Sequence, residues 1–429
     1  MSDPPPSDFV LLGVPDVNGS IRGKAFRPAA FESSLRDGVA QTDLLLALDP
    51  VDIPISDYEA FGIRAGASDL VVRPEPETLH EMHWRPGWRI CLGTPYWANG
   101  SVCEYASREV LRAALEGPAR LGYRVLAAFE YEIRIRDGEG RPLSSGISYS
   151  ASEIQRFGTF VDRLVPALDA MGVELTAVHT EAGPGLLELN LAPRYGLEAA
   201  DNAALLKFAV KEVATSAGLT ASFLAKPAAG EEGSSGHIHF SFWGESGNAF
   251  AASPDGDLPA TVRGAVGGTL EHLAAASLLL NPTINSYKRL VPGFFAPVNA
   301  SWGLDNRSAA VRVIRSNDAG KCRIECRRPG ADANPYLALA ALVASAADGI
   351  ARGAEPPPLV SGDAYARADL PALPGSLEAA LVAFEADAPF RRLLGDRFSA
   401  YYAVSRRWEL KAWQQVVTDW ERERYERAV

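Results

Sequence analysis

The sequence predicts an α+β protein, and three observations carry that reading. Its 429 residues exceed the size at which one hydrophobic core usually stops growing, so two domains are expected. Ser235-Gly-His-Ile-His-Phe-Ser-Phe242 alternates polar and apolar residues with the period of two that a half-buried strand requires. Long apolar-rich runs such as Thr261 to Leu280 and Asn334 to Ile350 read instead as helices.

The elements follow in order. Phe9 to Val14 is a short strand, Asp16 to Gly19 a turn, and Ile21 to Phe26 the return strand of a hairpin. Arg89 to Thr94 is a further strand, and the loop Pro95 to Gly100 marks the boundary between a small unit at 1–100 and a larger one at 101–429. Helical spacing begins at Ser107 (Val110, Leu111, Ala114, Leu115), and Gly117-Pro118 is expected to interrupt it. Arg124 to Ile135 is β-rich, with Glu130 and Glu132 on one face. Ser152 to Ala170 reads as an amphipathic helix, Val173 to Leu191 as two strands around Ala182-Gly-Pro-Gly185, and Leu205 to Ala217 as a helix. Strand Ser235 to Phe242 puts His237, His239 and Ser241 on one face. A proline-rich loop spans Glu355 to Gly375, Ser376 caps a helix carrying Leu377, Leu381 and Phe384, and Trp408 to Arg427 reads as a closing helix.

Composition excludes several classes. Hydrophobic residues make up 47% and charged ones 22%, ordinary for a soluble globular protein, and the net charge of −11 argues against a nucleic-acid partner. The start, MSDPPPSDFV, lacks the basic and apolar regions of a signal peptide. Tyr336 to Ala347 is too short an apolar run to span a bilayer, so no membrane association is expected. The four cysteines form neither a disulfide framework nor a paired CxxC metal motif. A cytoplasmic protein is expected.

Against that acidic background, Asn281 to Pro329 carries nine basic side chains and three acids. Seven of the nine are arginines, whose planar forks grip carboxylate and phosphate oxygens bidentately. Arg323-Ile-Glu-Cys-Arg327 alternates, so Arg323, Glu325 and Arg327 should share a face. Three faces thus offer metal ligands: Glu130 with Glu132, His237 with His239, and Glu325. Glu181 and Glu188 bracket the Gly-Pro-Gly turn. A carboxylate-rich set suits Mg²⁺ or Mn²⁺, and beside an arginine cluster it has the character of a phosphoryl-transfer site.

At these residues the chain resembles the glutamine synthetase family, and within it the branch that makes γ-glutamyl amides from amines other than ammonia. The motifs are Asn285-Ser-Tyr-Lys-Arg-Leu-Val-Pro-Gly293, Ala296-Pro297, Asn306-Arg-Ser-Ala309, Arg323-Ile-Glu325, Ala333-Asn-Pro-Tyr336, Gly233-Ser-Ser-Gly-His-Ile-His239 and Val417-Thr-Asp-Trp-Glu421. The resemblance implies a β-grasp-like N-terminal domain and a catalytic domain built on a curved antiparallel sheet flanked by helices. It implies a dodecamer of two stacked hexameric rings with active sites between subunits. It also implies ATP as co-substrate with two or three Mg²⁺ or Mn²⁺, and glutamate and a primary amine as substrates. Glu132, Glu181 and Glu188 match the ligands of a first metal, and Glu130, His237 and Glu325 those of a second. Arg289 matches the arginine on the α-carboxylate of glutamate, Arg327 the one on its side-chain carboxylate, and Gly233 the backbone position near the α-amino group. Arg307, Arg312 and Arg323 match nucleotide-side arginines, with His239, Ser241 and Lys321 close to ATP.

Three departures distinguish this chain. Phe295 stands where ammonia-using members carry a flap glutamate, Leu186 replaces a glutamine, and the step from Glu181 to Glu188 is shorter by one. Phe295, with Phe294 or Trp302, is therefore expected to wall an apolar pocket for the amine, and a substrate phosphate oxygen, a water, or an acid of a neighbouring subunit such as Asp49 or Asp57 is the candidate to take its proton. Three other readings compete: an ammonia-using synthetase, a silent scaffold of the same family, and a zinc hydrolase on His237-x-His239 or His80-x-x-His83. Phe295 speaks against the first. The complete set of matched ligands and arginines speaks against the second. His80 and His83, in a polar stretch, are expected at the surface or in caps, which weakens the third.

Overall fold

The fold was analysed in a computed structural model that describes residues 8–251 and 257–429; the sequence reading of the first seven residues lies outside them. The N-terminal hairpin forms as expected, β1 (Phe9–Pro15) pairing antiparallel with β2 (Ile21–Phe26). Helix α1 (Pro28–Asp37), β3 (Val39–Thr42), β4 (Asp69–Pro74), the short β5 (His80–Glu81) and β6 (Trp88–Tyr96) complete a six-stranded sheet ordered β2-β1-β6-β4-β3, with β5 on β6. β1 and β6 are parallel and the remaining pairs antiparallel.

The second sheet has ten strands. Its central path is β14 (Trp302–Leu304), β15 (Val311–Ile314), β16 (Arg323–Cys326), β12 (Gly236–Gly244), β7 (Arg124–Arg136), β9 (Leu186–Leu191) and β8 (Leu175–Thr180). Small strands β10 (Arg194–Tyr195) and β11 (Thr220–Ser222) join β7, and β13 (Gly247–Asn248) joins β12. All pairs are antiparallel except β14 with β15. β7 alternates as its sequence does: Val125, Ala127, Phe129, Tyr131 and Ile133 are buried against helices, leaving Glu130 and Glu132 on the opposite face.

Helices α2 (Ser107–Arg120) and α4 (Leu197–Ser216) pack on the apolar face of β7, with α3 (Gly158–Asp169), α5 (Ala260–Leu280) and α7 (Pro335–Arg352) packed against them or one another, while the one-turn α6 (Ser286–Arg289) brings Arg289 to the charged side. The C-terminal group is α8 (Leu377–Ala386), α9 (Ala388–Leu394), α10 (Asp396–Gln414) and α11 (Asp419–Tyr425). Helices α5 and α7 cross so closely that a Cβ on Gly268 would lie 2.2 Å from the Ser345 carbonyl oxygen, so both backbones meet where only glycine fits. Asn334 caps α7 through its side-chain oxygen, while its amide nitrogen donates to the Asp16 carbonyl at 2.9 Å. That residue ties the start of α7 to the N-terminal turn.

Four expectations are corrected. α2 runs through Pro118 to Arg120, because the bond proline removes lies in the last turn of the helix. The stretch from Ser152 opens as a 3₁₀ turn at Ile154–Phe157 before α3 begins at Gly158. α4 begins at Leu197 rather than Leu205, since its first turns are alanine-rich and buried nearly all round, leaving no amphipathic period to read. The closing helix is two helices: Thr418 and Glu421 form a reciprocal capping box that starts α11 afresh.

Candidate active site

The register of the ten-stranded sheet assembles the charged face. His237 lies opposite Glu130, His239 opposite both Ala128 and Glu325, Arg312 opposite Glu325, and Glu132 opposite Glu188. A cavity of about 550 Å³ opens over this face. It is lined by Glu130, Glu132, Glu181, Glu188, Gly233, His237, His239, Arg289, Phe295, Arg307, Arg312, Arg323 and Arg327. Ser241 and Lys321 line an adjoining cavity of about 440 Å³, which shares Glu130, His239 and Arg323 with the first.

Glu130, His237 and Glu325 form one triad, their ligand atoms all within 4.8 Å of one another. His237 Nδ1 lies 3.1 Å from Glu130 Oε1 and 3.6 Å from Glu325 Oε1. Glu130 Oε2 also accepts from Asn190 Nδ2 at 2.9 Å and meets His239 Nε2 at 3.3 Å. Arg323 Nε donates to His239 Nδ1 at 3.2 Å, which leaves Nε2 as the proton-bearing nitrogen toward Glu130. Glu325 is clasped from both sides: Arg327 Nη1 donates to Oε1 at 2.5 Å and Arg312 Nη1 to Oε2 at 2.9 Å. Burial would raise both acids, but these neighbours prevail. The histidine hydrogen bonds hold Glu130 far below the usual carboxylate range, and the charge of Arg327, the strongest of its neighbours, brings Glu325 down to about 2.

A second triad joins His179, Glu181 and Glu188. His179 Nε2 sits 3.0 Å from Glu181 Oε1 and 3.4 Å from Glu188 Oε1, and its ring stacks on Tyr149 with centroids 4.6 Å apart. Tyr149 holds a left-handed backbone at φ 53°, a strained conformation for a bulky residue. Burial, then the charges of Glu130 and Glu132, push the Glu188 carboxyl up to about 9. Glu181 moves the other way: its hydrogen bond to His179 outweighs burial and lowers it.

Both donor sets fit a hard divalent cation, since oxygen predominates with one imidazole in each. The crowding that raises Glu188 is what a bound cation would relieve. The triads differ in part from the sets expected from sequence. Glu130, His237 and Glu325 group as expected. Glu181 and Glu188 group with His179, while Glu132 Oε2 accepts the Ser235 backbone N–H at 2.7 Å. The sequence reading did not include His179 and Asn190, although period-two spacing carries a signal: each lies two residues from a recognised acid, Glu188 for Asn190 on β9 and Glu181, just past the end of β8, for His179. Arg134 was missed too. Buried on β7, it donates to the Pro184 and Glu232 carbonyls at 2.6 Å each and so braces two loops of the cavity wall.

Arg289 is 2% exposed, and burial lowers its guanidinium from the ordinary value. It donates to Ser235 Oγ at 3.0 Å and to the Arg327 and Arg328 carbonyls at 3.3 and 3.2 Å. A Cβ on Gly233 would lie 2.4 Å from Arg289 Cγ, so the glycine is what lets the two share the wall. Arg327 Nε is fixed by the Arg307 carbonyl at 3.0 Å. Phe294 and Phe295 are exposed at the rim, Phe295 with φ 52°. Trp302 does not join them: it is buried, its indole donating to the Pro357 carbonyl at 2.6 Å. Asp49 is also committed within its own chain, accepting from the Val51 and Ile53 N–H groups at 3.0 and 2.8 Å. His80 lies half-buried on β5, and neither it nor His83 belongs to a ligand group among the described residues. No helix is long and apolar enough to cross a membrane among the described residues.

Comparison with known proteins agrees with this geometry. Residues 104–425 match the family model for the glutamine synthetase catalytic domain. The chain is 32% identical to a glutamate–isopropylamine ligase of a Pseudomonas species, over 97% of its own length and 95% of that protein's. It is 33% identical to the gamma-glutamylethanolamide synthetase GlnA4 of Streptomyces coelicolor, covering 96% of this chain and 91% of the relative. It is equally 32% identical to the glutamine synthetase of Thermus thermophilus, covering 97% and 95%. Among solved structures, apo GmaS superimposes with a TM-score of 0.85 at 28% identity, covering 98% of this chain and 97% of that one. With its α+β fold, its two carboxylate-rich triads and these relatives, the chain is an ATP-dependent carbon–nitrogen ligase that belongs to the glutamine synthetase family.

Proposed function

We propose that the enzyme joins the γ-carboxylate of glutamate to a primary amine other than ammonia, through a γ-glutamyl phosphate. The observation that carries the choice of amine is Phe295, an aromatic ring exposed at the rim of the acid-lined cavity, at the position where the family resemblance would put a flap carboxylate in ammonia-using members. A carboxylate at that point can attract ammonium and take its proton; a phenyl ring can do neither, but it can cover an alkyl group.

The residues divide the work. Arg289, beside Gly233, takes the α-carboxylate of glutamate, and Arg327 holds the γ-carboxylate toward the γ-phosphorus of ATP. That carboxylate attacks, ADP leaves, and the acyl phosphate formed can be displaced where free carboxylate oxygen cannot. Arg307, Arg312 and Arg323 neutralise the polyphosphate, and His239, Ser241 and Lys321 lie toward the rest of the nucleotide. Glu130, His237 and Glu325 would hold one divalent cation. Glu181 and Glu188, with Glu132 or His179, would hold another, and bound cations supply positive charge to the transferring phosphoryl group. The amine then adds to the acyl carbon and phosphate departs. Domains at 1–100 and 101–429, cytoplasmic location and a dodecamer of stacked hexameric rings belong to this reading, and the mass of the particle in solution tests the last.

The deciding experiment sets ammonia against methylamine, ethanolamine, isopropylamine, aniline and polyamines at fixed ATP and glutamate, in wild type and in Phe295→Glu. Each methylene buried against the ring is worth about 0.8 kcal/mol, so a substituted amine should win in wild type. Phe295→Glu should shift preference toward ammonia. A wild type that prefers ammonia over every amine overturns the proposal.

A further inference from the structure

One buried lysine touches three walls of the catalytic cavity. Lys226, 7% exposed, follows β11 on the segment leading to Gly233. Its ammonium donates to the Glu231 carbonyl, so it grips the loop that carries Glu232 and Gly233. Its backbone is clasped by the Asn285 amide, which accepts from the Lys226 N–H at 2.8 Å and donates to its carbonyl at 2.9 Å. Asn285 begins the turn that delivers Arg289. The same ammonium lies 5.1 Å from the centroid of the Phe294 ring.

Phe294 belongs to the flap, Val291–Phe295, a stretch exposed along its whole length. Gly293 at φ 86° and Phe295 at φ 52° give it two left-handed turns in three residues, a backbone with little regular hydrogen bonding of its own. A short exposed segment of that kind has low local stability unless something outside it ties it down. A desolvated cation over an aromatic face is such a tie. It joins the flap tip to the wall that carries Gly233 and, through Asn285, to the one that carries Arg289.

We propose that Lys226 is a positioning residue that holds the flap over the acyl phosphate and keeps water from it. The inference rests on the ligase reading above. The step it guards against is simple. The oxygen of water bonds to the acyl carbon, the bond from that carbon to the phosphate oxygen breaks, and glutamate and inorganic phosphate leave. Each such escape consumes one ATP and forms no amide.

The test measures phosphate released per amide formed, with the best amine of the panel, in five variants of the enzyme. Lys226→Met keeps the aliphatic stem and removes the cation; Phe294→Leu removes the ring and leaves the Lys226–Glu231 bond in place. Both should raise the ratio about tenfold, the order a desolvated cation–π contact can supply. Lys226→Arg and Phe294→Tyr keep a cation over a ring and should couple within about twofold of wild type. The double variant Lys226→Met with Phe294→Leu should leak no more than Lys226→Met alone, because the cation–ring contact that Phe294→Leu removes is already gone in it. A rate that falls while the ratio stays at the wild-type value, in either single variant, overturns the latch, since misfolding removes phosphate and amide together. Leaks that add in the double variant overturn it as well. A wild type that forms no amide with any amine overturns the ligase reading and the latch with it.

Discussion

The two triads use similar residues and reach opposite electrostatic states. In Glu130–His237–Glu325 every acid meets a positive or proton-bearing partner, and Glu325, 1% exposed, sits between two guanidinium groups at 2.5 and 2.9 Å. In His179–Glu181–Glu188 the buried acid faces other acids, and its carboxyl is pushed up to about 9. The first triad is organised by the protein itself, since strand register and arginines hold it charged. The second is completed from outside, by a proton or a cation. A proposed metal centre built this way is not uniformly preorganised: one half is rigid and the other responsive.

The comparison is broken most severely at Glu325. Glu325→Gln preserves shape and removes the charge that Arg312 and Arg327 share. Amide formation should fall by about 10²-fold or more, as expected for loss of a proposed metal ligand. Stability should fall too, by about 3 kcal/mol, because the buried Arg327 guanidinium loses its counterion and Arg312 keeps only Asp305. Denaturant unfolding and a product assay check both. Glu181→Gln, in the responsive triad, should lose activity without that cost in stability, and equal destabilisation by the two variants would dissolve the distinction.

Arg327→Lys probes the rigid side more gently. Charge is retained, but one ammonium cannot bond both Glu325 and the Arg307 carbonyl while meeting a substrate carboxylate. The turnover number should fall about 10- to 10²-fold, with a smaller change in the Michaelis constant for ATP. Steady-state kinetics with each substrate varied separately checks the split. An effect confined to ATP affinity would move Arg327 to the nucleotide side.

Much of the rigid triad was legible in the sequence and less of the responsive one, for a physical reason. Period-two alternation on β7, β12 and β16 states which residues share a face, so Glu130, His237, Glu325 and the arginines could be read directly. Their cross-strand register, which sets the distances, depends on long-range pairing that no local pattern encodes. His179 and Asn190 obey the same alternation, yet a single histidine or asparagine on a strand has many ordinary uses, and only the neighbouring strand shows what each faces. Trp302 was misplaced because proximity in sequence to the flap says nothing about the turn that buries it. The helices were read well where one stripe was apolar, as in α8. Boundaries failed where the helix was buried all round, as in α4, or restarted by a cap, as in α11.

His179→Asn tests whether the imidazole is a working part of the responsive triad. The substitution removes a ring that stacks on Tyr149 and bonds Glu181. Metal affinity should drop about 10-fold, the low end for an outer partner that orients a ligand, with little loss of turnover at saturating Mg²⁺ or Mn²⁺. Titration of activity against metal concentration reads this. A loss of turnover that no metal concentration restores would make His179 a direct participant.

The smallest effect is also the sharpest test of the contrast, because it places the two triads at opposite ends of the pH scale. Glu188 is raised from an ordinary 4.5 to about 9 in the folded protein. The folded state therefore binds its proton more tightly than the unfolded chain, and this linkage favours folding fully below about pH 4.5 and is lost as pH rises through 9. Glu325 is lowered to about 2, so its contribution is present above the ordinary value and is lost only as pH falls toward 2. Between pH 5 and 9 Glu325 stays charged and constant while Glu188 changes. A divalent cation held at the second triad would have to displace the Glu188 proton, and would do so more easily where that proton is weakly held. Melting temperatures measured with chelator and with Mg²⁺ should then diverge as pH rises from 5 to 9, by about a few degrees at the upper end. Glu188→Gln cannot titrate, so its two curves should run parallel across the same range. Parallel curves in wild type would mean that Glu188 is already ionised at pH 5, and the contrast between the triads would lose its electrostatic basis.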